Sequence, residues 1–533
     1  RKTTLLVSFF FAESLPKVCF IDTIRYQFLR RDLLMYNKDL ACLAQASVMD
    51  SIHCSVNLVS SPMWDWLVWI LICIGVFFTV MTGFVQFRLF GHSVKNLLAS
   101  RSTEHHEHSE SISSFQAFMT GLASRVGTGN IAGVAIAVSV GGPGAVFWMW
   151  FIALIGMASA FAESSLAQLF KVRDANGHFR GGPAYYIRQG LGQGWLGMAF
   201  AVSLILCFGL VYNAIQANTI AQAVQSAVGC TGDNTCASWG TGKHVVAILL
   251  VIISAPIIFG GIKRVATISE MLVPVMAGVY LLMALYIIVT NITMIPQVFN
   301  LILTDAFTFN AAAGGVLGGL VSQSMMLGIK RGLYSNEAGQ GSAPNAAAAA
   351  DVPHPATQGL IQSLGVFVDT IIVCSCTAFI ILLSKLPTAD LTGIQLTQAA
   401  LESHVGSWAQ IFLAVVLFMF AFSSIIGNYA YAETNVQYLK NHPMILNIFR
   451  ILVLAFVYFG SVAEVPMVWD MGDLMMAIMA YINLVSIVLL SKYVFILAKD
   501  YSAQIKSGVK HPVFNINKYP AMKAKVTSGI WEK

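Results

Sequence analysis

The chain has 533 residues, 57% of them hydrophobic and 11% charged, with a mean hydropathy of +0.72. Soluble domains carry about a quarter charged residues, so the composition excludes an ordinary soluble protein and points to a polytopic membrane protein. The net charge of +6 matters less than where it lies, and the nine cysteines form no CxxC pair and no Cys/His metal spacing.

Residues 1–48 carry no helical stripe and no signal-peptide layout; the chain opens on Arg1, with Met49 and Met63 ahead of the first strong apolar run. This stretch is expected to be a non-native or disordered leader, followed by a transmembrane domain over 49–500 and a cytoplasmic tail over 501–533. Apolar runs long enough to span a bilayer fall near 64–87, 115–140, 145–170, 195–228, 243–260, 267–291, 309–328, 356–384, 408–438, 443–461 and 466–498. They predict an all-α membrane protein of eleven transmembrane helices. The 101–110 segment holds Glu104, His105, His106, Glu107 and His108. Nothing nearby fixes their geometry, so a solvated loop is expected there rather than a metal site. Cys230 and Cys236 share a polar loop where a disulfide is chemically permitted; bridged and unbridged forms both stand open.

Basic residues fix an orientation. If the 88–114 loop is cytoplasmic, the inner loops and tail collect 21 Lys and Arg, including Lys330 and Arg331, against Lys243 and Lys385 outside. The positive-inside rule then places the N-terminus out and the C-terminus in. The leader, with seven basic residues, would break the rule.

The second run contains Gly121-Leu-Ala-Ser-Arg-Val-Gly-Thr-Gly-Asn-Ile-Ala-Gly133. Gly127, Gly129 and Gly133, with Arg125 and Asn130 among them, do not suit a lipid-facing helix. Irregular backbone at membrane depth is tolerated only where protein buries it or it lines a wet cavity. Five spans later Gly314, Gly315, Val316, Leu317, Gly318 and Gly319 interrupt the seventh run. Paired Gly-interrupted segments in two halves point to a transport site, here in a five-plus-five inverted repeat preceded by one extra helix. At the first break the amides of Thr128 and Gly129 become free donors at a positive half-helix end, suited to a carboxylate. The carbonyls near Ala123 and Val126 suit Na⁺.

Several motifs then carry a resemblance: LASRVGTGNIAGVA, GGPGAVFWMWFIALIGMASAFAESSLAQ (141–168), RGGPAYYI (180–187), GLYSNEAGQGSAPNAAAAA (332–350) and FAFSSIIGNYAYAE (420–433). Together, and collinear over roughly 60–500, they resemble the sodium:alanine (alanine or glycine:cation) symporter family. The resemblance implies a LeuT-type fold. It implies that Thr128 and Gly129 hold the substrate carboxylate, that Gln216 and Asn218 meet the amino acid from a facing helix, that Gly314, Gly315 and Val316 form the second break, and that Ser424 lines the pocket. It further implies a Na⁺ site from Ser423 and Ser424 with the carbonyls of Ala123, Val126 and Phe420. Asn428 stands where some members carry Trp, so a roomier, more polar pocket is expected, unless Asn428 bonds only to neighbouring helices.

Arg125, costly at mid-membrane by at least about 2.5 kcal/mol, is expected to pair with Asp369, or else with Glu163 or Glu270. Glu163 is expected to be structural or part of an inner gate, and Ser335-Asn336-Glu337 a capped turn there. Trp64, Trp66, Trp148 and Trp150 are read as interfacial belt residues. The expected function is Na⁺-coupled symport of a small neutral amino acid (alanine, glycine, serine or glutamine) by alternating access, with H⁺ coupling as the alternative. An enzyme is not expected: there is no HExxH, no GxSxG and no His in the core of any span. The expected partners are the amino acid, Na⁺ and the lipid bilayer of a bacterial inner membrane; neither a cofactor nor nucleic acid is expected, and the oligomeric state is open, a monomer included.

Overall fold

The computed structural model describes residues 48–102, 112–174, 177–230, 239–307, 322–387, 391, 393–463 and 465–532. Among these, nearly all ordered backbone is helical. In hydrocarbon every N–H and C=O needs an internal partner, which a helix supplies within one segment. Helix α1 is Val48–Met81 and α2 is Phe90–Ser102. The second predicted span is two pieces, α3 Ser114–Arg125 and α4 Gly129–Gly141. Then come α5 Ala145–Leu169, α6 Gly194–Ala227, α7 Trp239–Ile258, α8 Gly261–Thr290 and α9 Ile295–Ala306. The remainder are α10 Gln323–Asn336, α11 Pro344–Ala349, α12 Pro355–Leu383, α13 Gly393–Val405, α14 Trp408–Leu439, α15 Pro443–Val462, α16 Val465–Leu489 and α17 Ser491–Lys506. One two-stranded ribbon, β1 Val172–Arg173 with β2 Phe179–Arg180, follows α5.

Nine of the described helices are long and apolar enough to cross a membrane. With the broken α3–α4 they match ten of the eleven expected spans, which makes the chain a multi-pass membrane protein. The glycines of the seventh run lie outside the described residues, as does the 103–111 part of the His-rich loop. Three expectations change. The last run does not continue to 498: it turns at Leu490 into the separate helix α17. Lys330 and Arg331 belong to no inner loop. They stand inside α10, 2.7 and 2.8 Å from the Asp473 carboxylate of α16, which lowers the basic count of the inner loops to about 19 without changing its sense. Trp64 is no belt residue, because it is buried and donates to the Asp473 carbonyl at 3.1 Å. Trp66 is exposed, as a belt residue should be.

Small residues set the helix approaches. A Cβ on Gly460 of α15 would lie 2.2 Å from the Ala214 carbonyl of α6, and one on Gly359 of α12 would lie 2.1 Å from Ser165 Oγ of α5. Cys230 is disulfide-bonded, as is Cys54; Cys236 lies outside the described residues.

The tail is folded. Trp531 is buried and its Nε1 donates to the Leu169 carbonyl, where α5 ends. Lys171 donates to the Ala350 carbonyl and sits 3.9 Å from the Phe179 ring centroid and 5.1 Å from that of Trp531. His354 caps α12: its Nδ1 accepts from Ala356 N–H, which leaves Nε2–H to donate to Asp500 Oδ2 at 3.1 Å. Phe514 N–H donates to the Pro353 carbonyl beside it.

Two predictions follow from this packing. Gly460→Val should overpack the α6–α15 contact by about 1–3 kcal/mol, read as a lower melting temperature of the purified protein. The second concerns pH. Burial pulls the His354 pKa down against the pull of Asp500. Burial works the other way on Asp500, but bonds from His354, Tyr519 and Gln504 hold its carboxyl below the usual value. A lowered pKa means the undocked state binds the proton more tightly than the docked one, so docking is strongest above the ordinary imidazole value of about 6.5 and weakens as pH falls. Amide hydrogen exchange at Phe514 and Ile516, corrected for intrinsic rate, should therefore speed up on acidification, and less so in His354→Gln.

Candidate functional site

The site is built on the break between α3 and α4. Ser113 starts α3 with a capping box to Gln116. The helix stops at Arg125, with Val126 at φ −79° and ψ 89°. The freed donors find side chains: Gly127 N–H donates to Asn130 Oδ1 at 2.9 Å, and Thr128 N–H to Gln216 Oε1 at 3.1 Å. The glycines let helices come this close. A Cβ on Gly127 would lie 2.2 Å from Ser424 Oγ, and one on Gly129 would lie 2.8 Å from the Tyr334 ring. Beyond the break α4 begins with a π-helical turn, Gly129–Gly133, and the helices facing it carry π turns at Ile205–Val211 and Phe367–Cys374. Such turns recur at functional sites.

The freed acceptors converge on α14. Ser424 Oγ stands 3.0 Å from the Ala123 carbonyl, 3.5 Å from that of Val126 and 3.1 Å from that of Phe420. Ser423 Oγ lies 3.3 Å from the Ala123 carbonyl and 2.8 Å from that of Phe420. Two hydroxyls bring two protons to three carbonyl oxygens. The result is a buried cluster of five oxygens richer in lone pairs than in donors.

Other expected residues divide. Gln216 reaches the break. Asn218 does not: its Nδ2 donates to the Gly460 and Ala463 carbonyls at 2.8 and 2.9 Å, which ties α6 to the end of α15. Asn428 spans two helices, donating from Nδ2 to Asn213 Oδ1 at 3.1 Å while its Oδ1 lies 2.6 Å from Ser124 Oγ. Gly314, Gly315 and Val316 lie outside the described residues.

The expected Arg125–Asp369 ion pair is not formed. Arg125 Nη1 donates to Gln362, to its carbonyl at 3.3 Å and its Oε1 at 3.2 Å, while Nε and Nη2 meet no acceptor. Asp369 accepts instead from Asn130 Nδ2 at 2.6 Å, Ser335 Oγ at 2.7 Å and Thr370 Oγ1 at 2.9 Å. Three neutral donors from the broken helix, α10 and α12 itself thus hold the carboxylate, and the guanidinium rests on Gln362, seven residues earlier in α12. The alternatives fail too: Glu270 accepts from Gln116, and Glu163 accepts from Gly339 N–H, Gly341 N–H and Asn483 Nδ2 at 3.2, 3.1 and 2.8 Å. Glu163 therefore fixes the turn after α10.

Sequence reasoning missed the aromatic wall. Tyr212 and Tyr334 have ring centroids 4.7 Å apart, and Tyr334 lies 5.0 Å from Trp469. Arg331 stacks on Trp469 at 4.8 Å and forms a two-pronged pair with Asp473 at 3.1 and 2.8 Å. Only its place in the GLYSNEAGQG motif marked Tyr334 out.

A broken helix with a polar, oxygen-rich centre inside a multi-pass helical bundle places the molecule among membrane transporters rather than enzymes. The profile of the Sodium:alanine symporter family matches residues 49–516, and the chain belongs to that family. It is 54% identical over 476 residues to an uncharacterized transporter of Haemophilus influenzae, covering 89% of this chain and 96% of the relative. It is 51% identical to the "Amino-acid carrier protein AlsT" of Bacillus subtilis, covering 90% of this chain and 97% of the relative. It is 48% identical to the "Probable sodium/glutamine symporter GlnT" of the same organism, covering 86% and 92%.

Asp473 is the counter-charge for both Lys330 and Arg331. Asp473→Asn should strand the buried Arg331 and the partly buried Lys330 and destabilise the protein by about 3–5 kcal/mol, measured as an early melting transition that Asp473→Glu partly restores.

Proposed function

We propose that the protein is a Na⁺-coupled symporter of small neutral amino acids, glutamine among them, working by alternating access with its N-terminus outside and its C-terminus in the cytoplasm. The observation that carries this reading is the five-oxygen cluster of Ala123, Val126, Phe420, Ser423 and Ser424 at the break. A hard monovalent cation prefers oxygen ligands, and unwound carbonyls are where such transporters hold it. On this reading Na⁺ replaces the strained sharing of two hydroxyl protons among three carbonyls and so stiffens the Val126–Thr128 turn.

The amino acid then docks its carboxylate on the Thr128 and Gly129 amides. Gln216 Oε1, which now accepts from Thr128 N–H, swings aside and becomes free to accept from the substrate ammonium. The side chain extends towards Asn213 and Asn428, whose carboxamides offer both donors and acceptors. The kinship to a relative named for glutamine supports a pocket that takes an amide side chain. Asn218 serves the α6–α15 contact rather than the substrate, and Asn428 belongs both to the helix contact and to the pocket wall.

The test is uptake of labelled L-alanine and L-glutamine into proteoliposomes under an inward Na⁺ gradient, then under an H⁺ gradient alone. Na⁺-driven uptake of both is expected, with Asn428→Trp keeping alanine and losing glutamine. Ser424→Ala should raise the Na⁺ concentration for half-maximal uptake at least about tenfold, the effect of one lost ligand worth about 1.4 kcal/mol. Uptake driven by H⁺ alone, indifferent to Ser424, would overturn the Na⁺ assignment.

A further inference from the structure

Three carboxyl groups, Glu163, Glu337 and Asp369, are buried around the single guanidinium of Arg125. Were all ionised, the cluster would hold an uncompensated double negative charge, which burial forbids. Their hydrogen bonds tell them apart. Glu163 accepts from two backbone N–H groups and an amide. Asp369 accepts from an amide and two hydroxyls. Both are thus solvated as anions.

Glu337 differs. Its Oε1 lies 2.6 Å from Ser124 Oγ, and Ser124 Oγ lies 2.6 Å from Asn428 Oδ1. The orientation of Asn428 is fixed through a relay: Asn213 Nδ2 donates to the Gly209 carbonyl, so Asn213 Oδ1 accepts from Asn428 Nδ2, and Asn428 Oδ1 must face Ser124. Ser124 therefore sits between two acceptors with one proton to give. The missing proton fits on Glu337 Oε1, as a carboxylic acid that donates to Ser124, which in turn donates to Asn428. No Lys, Arg or His lies within ion-pair distance of Glu337 among the described residues; the charged or titratable groups facing it are Arg125, Asp369 and Tyr431, with Cys207 and Tyr212 further off.

The backbone gives an independent sign. Glu337 has φ 59° at the end of α10, a left-handed position where glycine is cheapest, while Gly339 and Gly341 take the next such positions. A glutamate there is strained, and strain of this kind clusters at functional sites.

We propose that Glu337 is a proton-binding site, protonated in the closed arrangement and released when the break opens. Resting on the symport reading, it adds a proton to the transport cycle. The three partners ride on different elements: Ser124 on α3 before the break, Asn428 on α14, and Ser342, whose Oγ lies 2.6 Å from Glu337 Oε2, in the turn before α11. When α3 and α14 part, the Oε1–H bond loses its acceptor and water reaches the carboxyl. The bond breaks, the proton passes to water and the carboxylate remains; closure reverses the step.

The experiment is infrared difference spectroscopy of the full chain in lipid at neutral pH, wild type against Glu337→Gln, paired with a lumenal pH dye during Na⁺-driven L-alanine uptake. Expected are a protonated-carboxyl C=O band that the variant lacks, and acidification of the lumen that tracks uptake in wild type and is lost in the variant. Ser124→Ala, which keeps the carboxyl, should shift that band and so reports even if Glu337→Gln folds poorly. Absence of the band in wild type, or uptake without any proton signal, overturns the proposal. Uptake indifferent to Na⁺ would instead overturn the symport reading and leave the band as evidence for the proton site.

Discussion

The backbone freed at the α3–α4 break is the constraint on which the rest of the structure depends. A membrane-buried peptide group left without a partner costs several kcal/mol, and here each freed group whose partner is described is met from another helix or the next turn. Gln216 of α6 takes the Thr128 amide, Asn130 takes that of Gly127, and Ser423 and Ser424 of α14 take the carbonyls of Ala123 and Val126. The break is therefore a joint that several helices hold together. The glycines follow from it, because Gly127 and Gly129 leave space for Ser424 and Tyr334 that any side chain would fill.

Charge obeys the same logic. The buried ions here are mostly not paired with one another; they are surrounded by neutral donors and acceptors. Arg125 leans on the Gln362 amide and carbonyl, Asp369 on Asn130, Ser335 and Thr370, and Glu163 on two backbone amides. Dipoles supplied by separate helices can be withdrawn one at a time, whereas breaking a direct ion pair strands both members at once. Arg331 and Asp473 depart from this: they form a direct, two-pronged pair behind the Tyr334–Trp469 wall. That contact joins α10 to α16 firmly, which suits a wall more than a moving joint.

The sequence made the membrane class, most of the span positions and the break legible, because each rests on apolar run length and on glycine where a lipid-facing helix would not keep it. The convergence of Ser423 and Ser424 on the Ala123 and Val126 carbonyls was reachable only through the family motif, since α3 and α14 are some 300 residues apart. Partners of polar side chains were not legible. Asp369 and Arg125 look complementary as letters, yet the pairing depends on the π turn at Phe367–Cys374 and on which rotamers the neighbours allow. Asn218 sits two residues from Gln216, and on a helix that spacing turns it to another face, where it meets Gly460. Lys330 and Arg331 read as an inner loop only while the end of α10 is misplaced by a turn or two.

These features bear on coupling. Two ligands help each other only if both stabilise the same arrangement, and they do so by the same factor in each direction. The oxygen cluster and the Thr128 amide belong to one turn of three residues, so whatever orders the carbonyl side of that turn also orders its amide side. The same α3 end carries Ser124, and through it Glu337 and the turn after α10 that Glu163 pins. A cation at the carbonyls, an anion at the amides and a proton at Glu337 would thus each act on one element, the end of α3, and none needs a longer path through the protein.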